Sequence, residues 1–377
     1  MAKKLGSLFF STVKRISRLQ RQAVKLASAP AVKRKRKKAP RPTAAAKPAE
    51  DASLAGQGSW QNLVHKTTPS KTELLGRLGY SLYKPPGGSV AGLPLVVMLH
   101  GCQQTAHELA LGSGMNRQAD NKGFVVIYPQ QTRRVQALRC WRWFQPDGAH
   151  GFAEADAVAE LASAVVTRLK LDSSRVYIAG MSAGAGMAGL VALRHPRLFA
   201  AVAMHSGAVL GEARNPTEGM RTMRRGAVHE LSGLVKPLLQ DDADSYPGMP
   251  ALILHGERDH VVAQCNARQL AQQFVYVNWK LPFHGVLADG PAPGSRQPPR
   301  AIPEPSGKET MLASGTSRQY QRLDFLRNRR AIVRLCLIKS VGHAWSGGDA
   351  RQKFNAREGP KATFLIWQFF DMHCRGE

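Results

Sequence analysis

The chain has 377 residues, enough for one large catalytic domain or two ordinary ones, and this length excludes a disulfide-stapled miniprotein. Its formal charge is +27, and about half of the excess lies in the first fifty residues, where fifteen Lys or Arg face the single acid Glu50. A basic balance of this kind attracts polyanions such as nucleic acid, an anionic membrane or a charged granule, without identifying which one.

Residues 1–55 form a basic tail rich in Ala and Pro. Apolar residues alternate with bases over residues 14–27, which suits a short amphipathic helix on a surface; a solvated, partly helical tail is an equal alternative. The composition that follows cannot bury a core and predicts disorder. Polar residues dilute the apolar start, so a cleavable signal peptide is not expected, and no apolar run approaches the ~18 residues of a membrane-spanning helix.

The catalytic domain is predicted over residues 56–377. Near-continuous apolar runs, expected of strands buried on both faces of a sheet, occupy residues 93–100, 124–128, 175–179, 200–204, 251–255 and 331–338. Helical patterns occupy residues 153–171, 183–194, 262–275 and 360–373. This alternation predicts an α/β fold with a mostly parallel, doubly wound sheet. Residues 285–330 are rich in Pro, Gly and Arg, show no clear strand, and are interpreted as an irregular insertion.

The loop after the first of these strands contains Gly101, which lets the backbone approach a ligand closely. The N–H of Cys102 or of Gln103 can point at a substrate carbonyl oxygen; Cys102 is the favoured oxyanion donor and Gln103 is assigned to substrate binding. The Cys102 thiol itself is not favoured as a nucleophile, because the sequence places no base beside it. Further along, Trp143 lies in a Trp-Arg-Trp loop that suits stacking on an aromatic or sugar ligand, an apolar acyl groove, or plain packing.

The strongest signal is Gly-Met-Ser-Ala-Gly at residues 180–184, between a strand and a helix. In so tight a turn the serine adopts a strained backbone, and small residues two positions away on either side prevent clashes. Ser182 is thereby presented at the carboxyl edge of the sheet as a nucleophile. The Ala183 N–H, at the start of the helix, is placed where an oxyanion would form. The pattern predicts the α/β-hydrolase fold.

A serine nucleophile needs a base, and the base needs an acid, in the chain order serine, acid, histidine for this fold. Asp259 follows a buried strand and is the predicted acid. Its rivals are the nearby Glu257 and, in a polar loop where solvated charges are more common, Asp241, Asp242 and Asp244. His343 follows the last buried strand and is the predicted base, whereas His255, His260 and His284 are interpreted as structural or surface residues. Trp345, two residues on, is predicted to line the site.

Four motifs occur in order: His-Gly-Cys-Gln-Gln, Arg-Cys-Trp-x-Trp, Gly-Met-Ser-Ala-Gly-Ala-Gly-Met and Gly-His-Ala-Trp-Ser-Gly-Gly. With them the chain resembles the esterase/poly(3-hydroxybutyrate) depolymerase family over about residues 76–370. That family has the α/β-hydrolase fold and includes feruloyl and acetylxylan esterases. The resemblance implies that Ser182, Asp259 and His343 form the triad, and that Cys102 pairs with Cys140 in a disulfide. The 285–330 segment fits the family pattern poorly.

These observations predict a serine carboxylic-ester hydrolase that uses an acyl-enzyme and no cofactor or metal. The favoured substrate is a polyhydroxyalkanoate such as poly(3-hydroxybutyrate), or its oligomers; a feruloyl or acetylxylan-type carbohydrate esterase is the alternative. A hypothesis of another class is a polyanion- or granule-binding protein with an inactive hydrolase body. The tail is expected to bind an anionic surface or a polymer granule, with nucleic acid as a further partner. The expected location is cytoplasmic and granule-associated, with an extracellular location, common in the family, as the alternative.

Overall fold

The computed structural model describes residues 56–68, 76–145, 150–239, 245–279 and 307–376. The tail, with its predicted amphipathic helix and disorder, lies outside these residues, as do Asp241, Asp242, Asp244, His284 and the part of the 285–330 segment before residue 307. Within the described residues, no helix is long and apolar enough to cross a membrane.

One twisted sheet runs through the described part of the chain. Its strands are β1 (Ser59–Lys66), β2 (Arg77–Lys84), β3 (Leu95–Leu99), β4 (Val125–Gln130), β5 (Val176–Met181), β6 (Ala201–His205), β7 (Ala251–Gly256), β8 (Gly307–Leu312), β9 (Tyr320–Arg327) and β10 (Arg330–Ile338). They are ordered β1-β2-β4-β3-β5-β6-β7-β10-β9-β8. The six central strands are parallel, and an antiparallel pair flanks them on each side. The mostly parallel sheet predicted from the sequence is confirmed.

Helices cover both faces of the sheet. They are α1 (Ala106–Ser113), α2 (Met115–Lys122), α3 (His150–Leu169), α4 (Ala183–Arg194), α5 (Pro216–Arg225), α6 (Leu231–Val235), α7 (Cys265–Trp279) and α8 (Ala362–Phe370). Two large apolar clusters lie on the opposite faces of the central strands, because residues alternate between faces along each strand: Val97 packs in one cluster and Val96 in the other. The four predicted helices correspond to α3, α4, α7 and α8.

The sequence patterns miss the strands at the margins of the sheet. The prediction that residues 285–330 lack a strand is wrong for β8 and β9, which pair antiparallel with one another and with β10. Most side chains of β8 are exposed, so its sequence carries no continuous apolar run. These strands are defined by backbone pairing to an existing sheet edge, which a hydrophobic pattern does not record.

Candidate active site

Ser182 lies in the turn between β5 and α4 with φ 55° and ψ −119°, a backbone conformation that L-residues rarely adopt. The glycines on either side permit it. A Cβ at Gly180 would lie 2.2 Å from the carbonyl oxygen of Gly184, and a Cβ at Gly184 would lie 2.2 Å from that of Leu99. Both contacts are with backbone, which cannot move aside cheaply. The turn therefore requires glycine at both positions.

The three predicted catalytic side chains lie within hydrogen-bonding distance of one another. His343 Nε2 is 2.9 Å from Ser182 Oγ, and His343 Nδ1 is 2.8 Å from Asp259 Oδ2. An ionised carboxylate only accepts, so Nδ1 carries the proton and Nε2 presents its lone pair to the serine hydroxyl. This arrangement of nucleophile, base and orienting acid is the one that acyl transfer through a serine requires.

Asp259 is buried, and both of its carboxylate oxygens accept hydrogen bonds. Its Oδ1 accepts hydrogen bonds from the backbone N–H groups of Val261 and Val262, both at 2.9 Å, while Oδ2 accepts from His343. Burial alone would raise the pKa of this carboxyl, but the hydrogen bond from His343, electrostatic interactions with His343 and His255, and the backbone N–H of Val262 lower its pKa to about 2. The group is therefore ionised throughout the physiological range. Its rival Glu257 is exposed.

Two further histidines lie beneath the triad at the ends of neighbouring strands. His205 ends β6, accepts a hydrogen bond from the Ser346 N–H at 3.2 Å, and stacks on the Trp345 ring at a centroid distance of 5.2 Å. His255 lies in β7 with its Nε2 3.6 Å from Asp259 Oδ2 and 2.9 Å from the Val262 carbonyl oxygen. Burial lowers the pKa of both imidazoles, to about 3 for His205. The predicted structural role of His255 agrees with this position, whereas His205 was not singled out by the sequence, although it directly ends an apolar strand.

The loop after β3 faces the serine closely. A Cβ at Gly101 would lie 3.4 Å from Ser182 Cβ, and the Gly101 N–H donates to the buried Gln104 side chain at 2.9 Å. The Gln103 N–H donates to the Leu138 carbonyl oxygen at 2.6 Å, so it is already used. The Gln103 N–H therefore has an acceptor within the protein, and the Cys102 N–H stays the predicted oxyanion donor. Gln103 itself has an exposed side chain at the rim of the site.

The second predicted oxyanion donor is the Ala183 N–H. Ala183 is the first residue of α4, where backbone N–H groups have no acceptor within the helix and the helix dipole favours negative charge. Cys102 forms a disulfide with Cys140 across 38 residues, the pairing that the family resemblance implied. This disulfide ties the loop after β3 to the loop before α3.

The structure buries Trp345, which is predicted to line the site, and Trp143, whose motif suits either a substrate contact or plain packing. Trp143 is 5% exposed and packs on α4, where a Cβ at Gly186 would lie 2.7 Å from its ring. Trp345 is 1% exposed, and its Nε1 donates to Thr363 Oγ1 at 3.2 Å. Trp345 therefore supports His205 from within the core and does not line the site, and Trp143 forms the floor beside Ala183 and the disulfide. The ring centroid of Phe354 lies 6.4 Å from that of His343.

Among the described residues, no group of three or more His, Cys, Asp or Glu side chains is arranged to hold a metal ion. The site itself supplies a hydroxyl nucleophile and an imidazole base whose tautomer is fixed by a carboxylate.

The family model described as esterase PHB depolymerase matches residues 78–297, more than half of the chain. The match includes Ser182 and Asp259 and ends before His343. Among curated proteins, the chain is 33% identical over 204 residues to poly(3-hydroxyalkanoate) depolymerase C of Paucimonas lemoignei, covering 53% of this chain and 47% of that one. It is also 30% identical over 190 residues to feruloyl esterase B of Thermothelomyces thermophilus, covering 48% of this chain and 64% of that one. The matched region spans about half of the depolymerase and less than two thirds of the feruloyl esterase.

Among solved structures, the acetyl xylan esterase from Aspergillus awamori superposes with a TM-score of 0.60 at 19% identity. The superposition covers 84% of this chain and the whole of that chain. At this identity the similarity establishes a shared α/β-hydrolase fold and leaves the substrate undetermined.

Proposed function

This chain belongs to the esterase PHB depolymerase family, and we propose from that membership that it is a serine carboxylic-ester hydrolase acting on poly(3-hydroxybutyrate), another polyhydroxyalkanoate, or their oligomers. The observation that carries the hydrolase assignment is the continuous hydrogen-bonded chain from Ser182 through His343 to Asp259. Curated relatives named as depolymerases and esterases support the same reaction class.

In the proposed reaction, Ser182 Oγ attacks the ester carbonyl carbon as His343 Nε2 takes the hydroxyl proton. The carbonyl oxygen becomes an oxyanion held by the N–H groups of Cys102 and Ala183. The imidazolium, stabilised by Asp259, gives its proton to the departing alkoxide, which leaves as an alcohol. Water then attacks the acyl-enzyme with His343 again as base, the acid is released, and the serine hydroxyl is restored. No cofactor takes part in these steps.

Exposed apolar side chains around the triad support a polyester as the substrate. Leu138, Val261 and Phe354 are 36–37% exposed, large for apolar residues. Each is tied to the site: the Leu138 carbonyl accepts from the N–H of Gln103, the Val261 N–H donates to Asp259, and the Phe354 ring lies beside His343. An apolar rim around a nucleophile favours adsorption of an apolar polymer surface over a solvated sugar chain.

A carbohydrate esterase is the second candidate, favoured by the feruloyl esterase relative. Its recognition of an aromatic or sugar ring would rely on an accessible flat side chain. Trp143, the residue that the sequence suggested for stacking, is 5% exposed, and this burial weighs against the candidate.

The decisive test compares wild type with Ser182→Ala on p-nitrophenyl butyrate and on amorphous poly(3-hydroxybutyrate), followed by loss of turbidity. Ser163→Ala, an exposed serine on α3, is the matched control. We expect the wild type and the control to hydrolyse both substrates and Ser182→Ala to lose at least about 1000-fold in kcat/KM on the small ester. Activity on a feruloyl or acetyl sugar ester without polymer clearing transfers the proposal to the carbohydrate esterases; an unimpaired Ser182→Ala refutes the site.

The partner of the basic tail is a separate part of the proposal. Its charge supports binding to an anionic surface or a polymer granule, with nucleic acid as an alternative, and such binding weakens steeply with salt. Deletion of residues 1–55 is expected to abolish granule retention while p-nitrophenyl butyrate hydrolysis persists. If retention is lost and esterase activity is absent in every form of the protein, the binding-protein hypothesis with an inactive hydrolase body takes its place.

The proposed location is cytoplasmic and granule-associated, and an extracellular location is the alternative. Disulfides persist in oxidising compartments and are rare in a reducing cytosol. The redox state of Cys102 and Cys140, measured after rapid alkylation of whole cells, separates the two: reduced thiols support the cytoplasmic proposal and an intact disulfide refutes it.

A further inference from the structure

His205 ends β6, the strand that lies between the strand of the nucleophile and the strand that leads to the acid. β5 is followed by Ser182 and β7 by the loop that carries Asp259, and β6 pairs in parallel with both. In this register His205 lies opposite Met181 on one side and Leu254 on the other. Its backbone is therefore one strand spacing, about 4.8 Å, from each of the two strands.

The main chain of His205 holds the turn of the nucleophile. The Ser182 N–H donates to the His205 carbonyl oxygen at 2.9 Å, at the residue whose φ of 55° departs from strand geometry. The N–H groups of Ala185 and Gly186 in turn donate to the Ser182 carbonyl oxygen at 2.9 and 3.1 Å. The strained residue is thus held by hydrogen bonds on both sides, and His205 supplies one of them from a neighbouring strand.

The side chain of His205 contacts the loop that carries the base. Its Nε2 is 3.2 Å from the backbone N of Ser346, three residues after His343, and its Nδ1 is 3.1 Å from Ser206 Oγ. Because a backbone N–H only donates, Nε2 accepts with its lone pair and Nδ1 carries the proton. Burial lowers the pKa of the imidazole to about 3, so the ring stays neutral and Nε2 keeps that lone pair at neutral pH.

Hydrogen bonds hold the base loop from two directions. The Trp345 N–H donates to the carbonyl oxygen of Phe354, a residue that is 37% exposed, at 2.8 Å. The next N–H along the chain, that of Ser346, donates to the fully buried His205. The contact with His205 therefore ties the loop of His343 to the sheet, whereas the contact with Phe354 ties it to the surface.

We propose that His205 is a positioning residue of the esterase reaction: its carbonyl oxygen holds the turn of Ser182, its Nε2 holds the loop of His343, and one residue thereby sets the distance between nucleophile and base. It acts through these two residues, and no proton or bond is transferred at its own ring. The proposal rests on the hydrolase function proposed above, because the role that it assigns belongs to that reaction.

The tautomer of His205 tests the proposal in the wild type. Two-bond nitrogen–proton correlation spectra of the full-length protein with nitrogen-15-labelled histidine distinguish the two neutral tautomers and the charged ring. The His205 signals are assigned by their absence from the spectrum of His205→Gln. We expect the neutral Nδ1–H form at pH 7. An Nε2–H or charged ring leaves no acceptor for the Ser346 N–H and overturns the proposal.

Two substitutions separate the acceptor from the packing of the ring. His205→Phe keeps an aromatic ring against Trp345 and removes the acceptor, whereas His205→Gln returns an amide oxygen near the position of Nε2. We expect His205→Phe to lower kcat on p-nitrophenyl butyrate at least about tenfold with less than about a twofold change in KM, because a small displacement of the base slows the chemical step. His205→Gln is expected to keep kcat within about threefold of wild type.

A third substitution serves if His205→Phe does not fold. His205→Asn keeps a donor for Ser206 Oγ, but its side chain is too short to reach the Ser346 N–H. It is therefore expected to lower kcat as His205→Phe does.

His373 supplies the matched control for the loss of a buried histidine. It is 4% exposed, and its Nδ1 and Nε2 lie 2.8 and 3.0 Å from the carbonyl oxygens of Phe369 and Ala331. Ala331 lies near the start of β10, whereas His343 follows the end of that strand. His373→Phe is expected to lower the urea midpoint, as His205→Phe does, and to leave kcat unchanged. Equal kcat losses in the two variants would mean that general loss of packing is responsible, and would overturn the proposal.

Three further outcomes overturn the positioning role. They are a wild-type kcat in His205→Phe, a loss in His205→Gln as large as in His205→Phe, and a change confined to KM. Ser182→Ala, measured alongside, separates these results from a failure of the proposed function. If Ser182→Ala is inactive and His205→Phe is unimpaired, the positioning role alone is refuted. An inactive wild type or an unimpaired Ser182→Ala refutes the hydrolase function, and the role of His205 with it.

Discussion

The two edges of the parallel strands carry side chains of opposite charge. At the carboxyl edge, the buried carboxylate of Asp259 accepts hydrogen bonds from two backbone amides and from His343. At the amino edge, where the strands begin, four arginines line a cavity whose lining residues contribute no carboxylate: Arg197, Arg327, Arg330 and Arg375. The charges of the catalytic groups at the carboxyl edge are thus held in place by hydrogen bonds before any substrate arrives, which is the preorganisation that catalysis needs, whereas the amino edge gathers cations from separate parts of the chain around one concavity.

The largest effect is expected from Asp259→Asn. An asparagine amide can donate to His343 Nδ1 and so favour the wrong tautomer, and we expect kcat on p-nitrophenyl butyrate to fall by roughly 10⁴-fold with the fold retained. The amino edge supplies a matched control. Asp156 lies 2.8 Å from His195 Nε2, the same distance as in the Asp259–His343 pair, but its side chain is 46% exposed. Asp156→Asn is expected to leave kcat unchanged. An equal loss of kcat in the two variants would show that Asp259 has no special role in catalysis.

Removal of the disulfide is expected to have the next largest effect. The bond closes a loop of 38 residues at the carboxyl edge, and loop-closure entropy places its contribution at roughly 4 kcal/mol of unfolding free energy. Cys102→Ser/Cys140→Ser should therefore unfold at much lower urea concentration, with a lower kcat because the Cys102 N–H is no longer held. Cys374→Ser, at the amino edge and in no disulfide, is expected to change the urea midpoint little. A double variant as stable as wild type contradicts the prediction.

Gly184→Ala tests the tight turn that presents the nucleophile. The added Cβ would lie 2.2 Å from the Leu99 carbonyl oxygen, so we expect a loss of about 3 kcal/mol in unfolding free energy and a further loss of kcat as Ser182 moves. Gly79→Ala is the control, since a Cβ there meets nothing within 4 Å. Urea unfolding and p-nitrophenyl butyrate kinetics are measured for both. Equal unfolding free energies of the two variants would mean that the turn can accommodate a Cβ at residue 184.

The two edges also differ in what the sequence reveals of them. Ser182, Asp259 and His343 each follow a buried apolar strand, so strand order and local motifs are enough to predict them from the sequence. The cavity arginines follow α4, end β9, begin β10 and follow α8, and no spacing connects them. They meet only because parallel strands and their helices return to the same edge, which is a property of the tertiary fold. The burial of Trp345 is similarly a matter of packing: its ring stacks on His205, which belongs to a strand far away in sequence, and its Nε1 donates to Thr363 on α8.

The smallest effect concerns two buried histidines, one from each edge. His205 accepts a hydrogen bond from the Ser346 N–H, and burial, followed by the charges of His255 and His343, lowers its pKa to about 3. His373, at the amino edge, has Nδ1 2.8 Å from the Phe369 carbonyl oxygen and Nε2 3.0 Å from that of Ala331. Burial lowers the pKa of His373 as well, but these carbonyl acceptors oppose the shift because they stabilise the protonated ring.

Each lowered histidine pKa makes the unfolded chain bind more protons than the folded one, so folding stability falls as the pH drops from about 6.5, the unfolded pKa, towards the folded pKa. One such proton corresponds to about 1.4 kcal/mol per pH unit. We expect His205→Gln to remove that slope down to pH 4 and His373→Gln to remove it over a narrower interval, measured as urea unfolding free energies between pH 4 and pH 7. An equal flattening by both variants would show that the carbonyl oxygens around His373 do not accept from an imidazolium, and that the two edges hold their histidines in the same way.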